Sequence, residues 1–442
     1  MSIKKNGKKN SKKIDLFLRL LSWSGVALLI GLASGICATL LLFSLNWATQ
    51  VRLHHSQWIW GLPLAGALTG WTYLHWGRDA GRGHHLIFES IHDSQIVVPL
   101  RMAPLVGLAS VLTHLCGGSA GREGAIVQMA ASVSAQMERI LEWIGLEPLQ
   151  PGASEARLAQ RRILLRSGLG AGFGAATGAP WAGWLFGLEM LRFQHLSLLG
   201  LAVGGLASGV GCWTTRLLGA PHTYFPEVII PDWDLKTLCS VGVAGLVFGF
   251  AARVFVGVTH ELELRLKSWI PHPALRPAVI GGVLIALYAG EGSYHYAGLG
   301  IAQIQNALSG RSSLWEPFWK MMFTALTVSS GFKGGEFVPL VFIGATLGNA
   351  LTSGVPFLPG SFVGALGFVA VFGAASQTPL ACACLAMELF GIPIGGFAAI
   401  ACGVSAWSVG SHSIYRRSPQ SISQKKRVRY PYLTLPEFFK LF

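Results

Sequence analysis

Charge is what this sequence has least of. Only 12% of its 442 residues are Asp, Glu, Lys or Arg, about half the share that a soluble chain uses to cover its surface. Hydrophobic residues make up 52%, and the mean hydropathy is +0.50. Lipid rather than water must therefore face much of the exterior. Carboxylates are the scarcer sign, 20 against 34 Lys and Arg. The basic excess does not read as a nucleic-acid surface, because it flanks apolar runs. Lys4, Lys5, Lys8, Lys9, Lys12 and Lys13 precede the first run, and Arg416, Arg417, Lys425, Lys426, Arg427 and Arg429 follow the last. Basic residues beside spans stay in the cytoplasm, so both termini are expected there. Arg157, Arg161, Arg162 and Arg166 are expected on the same side. The seven cysteines show no CxxC pairing and no zinc-like spacing, so neither disulfides nor a structural zinc site are indicated. An HExxH motif, a nucleotide-binding loop and a nucleophile triad are also missing. The expectation is neither an enzyme nor a cofactor protein.

What is present is a near-continuous series of apolar segments, at roughly 24–48, 57–76, 100–135, 163–190, 196–218, 238–258, 277–290, 317–352, 361–390 and 395–410. The first is too long for a signal-peptide core and lacks a cleavage site, so it is expected to be kept as a span. Several others are interrupted by Gly or Pro, or are too short to cross about 30 Å of hydrocarbon. Such helices are tolerated only where their ends are buried in protein or line an aqueous cavity. The predicted fold is an all-α polytopic membrane protein with many tilted and half-length helices. An internal repeat divides it. Phe173–Glu189 (FGAATGAPWAGWLFGLE) aligns without gaps to Phe372–Glu388 (FGAASQTPLACACLAME). A glycine-rich segment bearing a carboxylate precedes each copy: Gly117-Gly-Ser-Ala-Gly-Arg-Glu123-Gly124 and Gly331-Phe-Lys-Gly-Gly-Glu336-Phe337-Val-Pro339. Paired interrupted helices point to a transporter whose substrate sits at the repeat interface. The expected organisation is a basic cytoplasmic segment at 1–20, membrane halves at 21–218 and 219–415, and a short cytoplasmic tail at 416–442 without a regulatory domain.

Glycines before an apolar helix free its first N–H groups for a ligand, and the helix dipole adds positive charge there. Gly121-Arg122-Glu123-Gly124 is such an anion cradle, with a carboxylate placed in it. Ionised, Glu123 mimics the anion and blocks the site; protonated, it can swing aside, which supplies both a gate and proton coupling. The plain alternative is a helix-capping Glu paired with Arg122.

GREGAIVQ at 121–128 resembles the GREGP segment of the CLC chloride channel and transporter family. GGEFVP at 334–339 resembles its GGxFxP segment, and Tyr415 falls where that family's late anion-binding tyrosine belongs. With the A-P and T-P repeats, the resemblance runs from about residue 25 to 420. It implies two inverted helical halves, a homodimer, and one pathway per subunit. It makes Glu123 the gating glutamate and proton carrier. It also implies that the amides of Glu336 and Phe337 hold a central anion beside the Tyr415 hydroxyl. The amides of Arg122, Glu123 and Gly124 would line an outer site.

The sequence departs from the family's usual GSGIP segment: Gly81-Arg-Gly83-His84-His85-Leu86-Ile87 stands instead, with His84 as candidate for the missing serine. Met190 occupies the position of the exchangers' inner proton glutamate, with Glu189 just before it. These departures, with the Glu in GGE, are similar to the fluoride/proton antiporter branch, which would give Glu336 a part in an internal proton route. That branch uses Met or Asn where His84 stands, and tends to have Thr where this chain has Val338. An imidazole N–H can donate to a compact, strongly hydrated anion; the alternative is a loop histidine bonded to a backbone carbonyl. The expected partners are fluoride or chloride, protons and the bilayer of a bacterial inner membrane. The competing functions are chloride/proton exchange, passive chloride conduction, and divalent-metal transport through His85, Glu89 and His92, which fall on one helical face.

Overall fold

The computed structural model describes residues 2–93, 95–143, 154–191, 196–354 and 356–415. The expected tail at 416–442 lies outside them. Among the described residues there are helices and no strands.

The first half contains α1 (Ser2–His54), α2 (Leu62–Thr72), α3 (His84–Ser90), α4 (Met102–Leu115), α5 (Glu123–Ala135), α6 (Met137–Trp143), α7 (Ser154–Thr177), α8 (Pro180–Met190) and α9 (Leu198–Leu217). The second contains α10 (Leu235–Trp269), α11 (Leu275–Glu291), α12 (Ile301–Leu308), α13 (Glu316–Ser330), α14 (Phe337–Leu351), α15 (Gly360–Ser376), α16 (Pro379–Phe390) and α17 (Gly395–Val409). Leu21–His54 of α1, together with α9, α10 and a run from Ile392 through α17, is long and apolar enough to span a bilayer. The chain is a multi-pass membrane protein. α4, α5 and α14, with 14, 13 and 15 residues, reach only about 20 Å each at 1.5 Å per residue. Each starts at a buried residue, Met102, Glu123 and Phe337.

Local signals set these boundaries. Pro180 and Pro379 open α8 and α16, where a missing N–H costs nothing. Ser197 and Asp234 cap α9 and α10 by accepting from Gly200 N at 3.0 Å and Thr237 N at 2.6 Å. Gly331 closes α13 in the left-handed region, at φ 111°.

The two copies of the repeat touch each other at equivalent positions. Gly121 and Gly335 exchange backbone hydrogen bonds of 2.6 and 2.7 Å, paired antiparallel. Phe173 stacks on Phe372, with ring centroids 6.1 Å apart and planes 7° from parallel. The Glu388 carboxylate accepts from Trp181 N and Ala182 N at 3.1 and 2.7 Å. Reciprocally, Glu189 accepts from Leu380 N and Ala381 N at 3.0 and 2.6 Å. Contacts in which each residue meets its counterpart are what a local two-fold produces. Each carboxylate satisfies orphan amides at the start of the other half's helix. Glu189, weighed above for a place beside the inner proton position, is 4% exposed and committed to this cap.

Candidate functional site

The Gly121–Gly335 bridge sets the starts of α5 and α14 side by side, as the glycine-rich segments predict. Only glycine permits the approach: a Cβ on Gly335 would lie 2.6 Å from Gly124 N, and one on Gly334 2.5 Å from Ala120 Cβ. Two sets of unpaired helix-start amides, each with its dipole's positive end, thereby share one point.

Glu123 is the first residue of α5 and is 2% exposed. Its carboxylate folds back over the helix start, accepting from Arg122 N at 3.3 Å and Arg122 Nε at 3.1 Å. The capping pair with Arg122 is thus present, and the same carboxylate occupies the cradle as an anion would. A terminal guanidinium nitrogen of Arg122 also donates to Thr223 Oγ1 at 3.0 Å, tying the 218–234 connection to the site. A small cavity opens here, bordered by Arg122, Glu123, Thr177, Thr223, Phe337 and Val338. Val338 brings only an apolar side chain to it.

On the far side of Gly124 stand the remaining candidates. A Cβ at Gly124 would lie 3.6 Å from His84 Cε1 and 3.8 Å from Glu336 Oε2. The Tyr415 ring packs against His84 at 4.9 Å between centroids and against Phe88 at 6.0 Å. Tyr415 is within electrostatic reach of both Glu336 and Glu123. Phe337 starts α14 and packs edge-on against Phe173 and Phe372 at 5.5 and 4.7 Å, so the repeat's aromatic pair backs the site. The structure brings His84, Arg122, Glu123, Gly124, Glu336, Phe337 and Tyr415 together.

His84 begins α3, and its Nδ1 meets Gln128 Nε2 at 3.2 Å. With Gln128 donating, the ring proton sits on Nε2. That atom is buried and has no partner among the described residues. The ring therefore bonds to a side-chain amide and not to a backbone carbonyl. Sequence reasoning gave Gln128 no role, although it closes the GREGAIVQ segment five residues after Glu123. Lys333 was missed too. It lies over the Tyr73 ring at 4.3 Å, within electrostatic reach of His84 and Glu336. Its signal was a cation inside the second glycine-rich segment.

The metal alternative finds a committed carboxylate. Glu89 pairs with His85 Nδ1 at 3.0 Å and also with Arg82, and no metal-holding cluster occurs among the described residues.

This architecture has relatives. A family profile described as voltage gated chloride channel matches residues 65–410. A chloride/fluoride channel protein of Pseudomonas syringae pv. tomato (strain DC3000) is 37% identical over 97% of this chain and 92% of its own. The H(+)/Cl(-) exchange transporter ClcA of Yersinia pestis bv. Antiqua (strain Angola) is 25% identical over 82% of this chain and 79% of its own. A crystal structure of a CLC-type fluoride/proton antiporter superposes with a TM-score of 0.83 at 29% identity, over 90% of this chain and 98% of that one. The family resemblance read from the sequence holds over the matched length. The all-helical fold is the CLC fold, and this chain belongs to the voltage gated chloride channel family of anion transporters.

Proposed function

We propose that this protein exports fluoride in exchange for protons across a bacterial inner membrane. It would work as a homodimer in which each subunit folds as two halves, 21–218 and 219–415, with both termini in the cytoplasm. The observation that carries the reading is the Glu123 carboxylate lying on the donors of its own helix start, beside Gly124 and Glu336. An ionised carboxylate and a small anion are alternatives for one set of N–H groups. Protonation removes the charge and frees those donors, so an anion enters as a proton is taken up.

His84 Nε2–H, the Tyr415 hydroxyl and the amides at Glu336 and Phe337 would supply the hydrogen bonds that replace fluoride's tight hydration shell. Arg122 and Gly124 would form the outer part of the cradle, and Glu336 would pass protons inward. The fluoride named in two of the relatives supports this choice of ion. Val338 favours a second reading, chloride/proton exchange or passive chloride conduction, because it leaves the cavity wall apolar where a Thr would extend a polar route.

The test is efflux from proteoliposomes with fluoride, chloride and pH recorded together. Wild type is expected to move fluoride with a stoichiometric proton flux, and Glu123→Gln to lose the proton flux. Coupled exchange that survives in Glu123→Gln rejects the mechanism, whereas chloride moving in place of fluoride keeps the gate and changes the ion.

A further inference from the structure

The Arg122 guanidinium serves two partners at once. Its Nε donates to Glu123 Oε1 at 3.1 Å, and a terminal nitrogen donates to Thr223 Oγ1 at 3.0 Å. The side chain is 10% exposed and borders the small cavity together with both partners. Thr177 and apolar side chains make up the rest of that lining, so Arg122 is the cavity's one positive charge and Glu123 its one negative charge. The bond to Glu123 lasts only while the carboxylate sits in the cradle. The bond to Thr223 has no such condition.

Thr223 can hold a guanidinium because its own surroundings are held. It lies in the 218–234 connection, which contains no helix or strand, yet its neighbours are anchored to four helices. His222 Nε2 meets Thr215 Oγ1 of α9 at 3.1 Å, and Gln305 Nε2 of α12 donates to Tyr224 O at 2.9 Å. Phe225 packs against Phe368 of α15 and Phe390 of α16, at 5.0 and 6.1 Å between ring centroids. Pro221 and Pro226 flank the stretch, and each fixes a backbone angle. A long side chain pinned at one end keeps its place when its other contact breaks. An unpinned arginine samples many rotamers, and ordering it anew for each ion opposes binding.

We propose that Thr223 is a positioning residue for anion entry: it pins the Arg122 guanidinium to the cavity wall while Glu123 is withdrawn, so that the Nε–H released by the carboxylate passes to the incoming halide. This rests on the reading of Glu123 as a carboxylate that yields its donors to the anion, and it adds the group that keeps one of those donors in place. Thr223 acts through Arg122 and not on the ion itself.

Initial efflux from proteoliposomes at a series of fluoride concentrations tests this in a double-mutant cycle of wild type, Thr223→Val, Arg122→Gln and the pair. Thr223→Val keeps the branched shape and removes the acceptor. It is expected to raise the half-saturating fluoride concentration about tenfold, as for the loss of a hydrogen bond to a charged group, with a much smaller change in maximal rate. Thr223→Ser, which keeps the hydroxyl, is expected to restore the wild-type value. In the Arg122→Gln background, Thr223→Val should have no further effect. An unchanged half-saturation in Thr223→Val, an equal loss in Thr223→Ser, or full additivity with Arg122→Gln overturns the proposal. If Arg122→Gln fails to fold, the Val and Ser variants still decide it. Glu123→Gln separates the two readings: coupled exchange surviving there rejects the gate, whereas a working gate with an inert Thr223 rejects this inference alone.

Discussion

The imidazole of His84 is useful to an anion only while its Nε2 carries the proton, and the Gln128 amide enforces that tautomer from the other side of the ring. Gln128→Leu removes one hydrogen bond and leaves the ring free to present a lone pair. The expected result is a half-saturating fluoride concentration about fivefold higher, the equivalent of about 1 kcal/mol for one hydrogen bond. Initial efflux rates against fluoride concentration would measure it, and elution of the variant like wild type would show that the fold is intact. At this scale GREG and GGE stand out in the sequence as carboxylates among glycines, which a lipid-facing helix has no use for, while His84 and Tyr415 were placed by the family resemblance. Gln128 and Lys333 were not legible in that way. Each acquires its meaning from a residue distant in the chain, and nothing in the local spacing points to that partner.

Among the elements, α8 and α16 depend on each other through Glu388 and Glu189. Each helix start leaves amides unpaired, and the partner half answers with a carboxylate rather than a local Ser or Asp cap. Glu388→Ala is expected to lower stability by about 1–3 kcal/mol, because two amides lose a charged acceptor. Thermal unfolding in detergent would show the loss, and Glu388→Gln should recover part of it by keeping an acceptor oxygen. A variant as stable as wild type would mean that solvent or lipid caps α8 instead. The repeat alignment had already placed these two glutamates at equivalent positions. That each caps the other's half was invisible, since alignment reports likeness between segments and not contact between them.

For the whole molecule, the consequence of two helix starts meeting over one carboxylate is directional. If proton and anion must exchange places at Glu123, a proton gradient alone can move fluoride uphill. Proteoliposomes with equal fluoride on both sides and an acidic exterior are expected to lose internal fluoride while their lumen acidifies. A passive conductor would show no net fluoride movement once the membrane potential is clamped at zero. A fluoride electrode and an internal pH dye read the two fluxes. This depends on the assembled site, for Glu123, His84, Glu336 and Tyr415 come from four separate stretches of chain.

Composition alone required a membrane protein, since so few charges cannot cover a soluble surface. The glycine-rich segments alone pointed to broken helices that start inside the protein, because glycine lets two backbones approach closely. Only the tertiary structure decided that Gly121 and Gly335 would pair, that Gln128 would reach His84, and that Glu189 and Glu388 would each cap a helix of the other half. Those outcomes depend on the packing of helices distant in the chain, where a single glycine can decide whether two backbones touch.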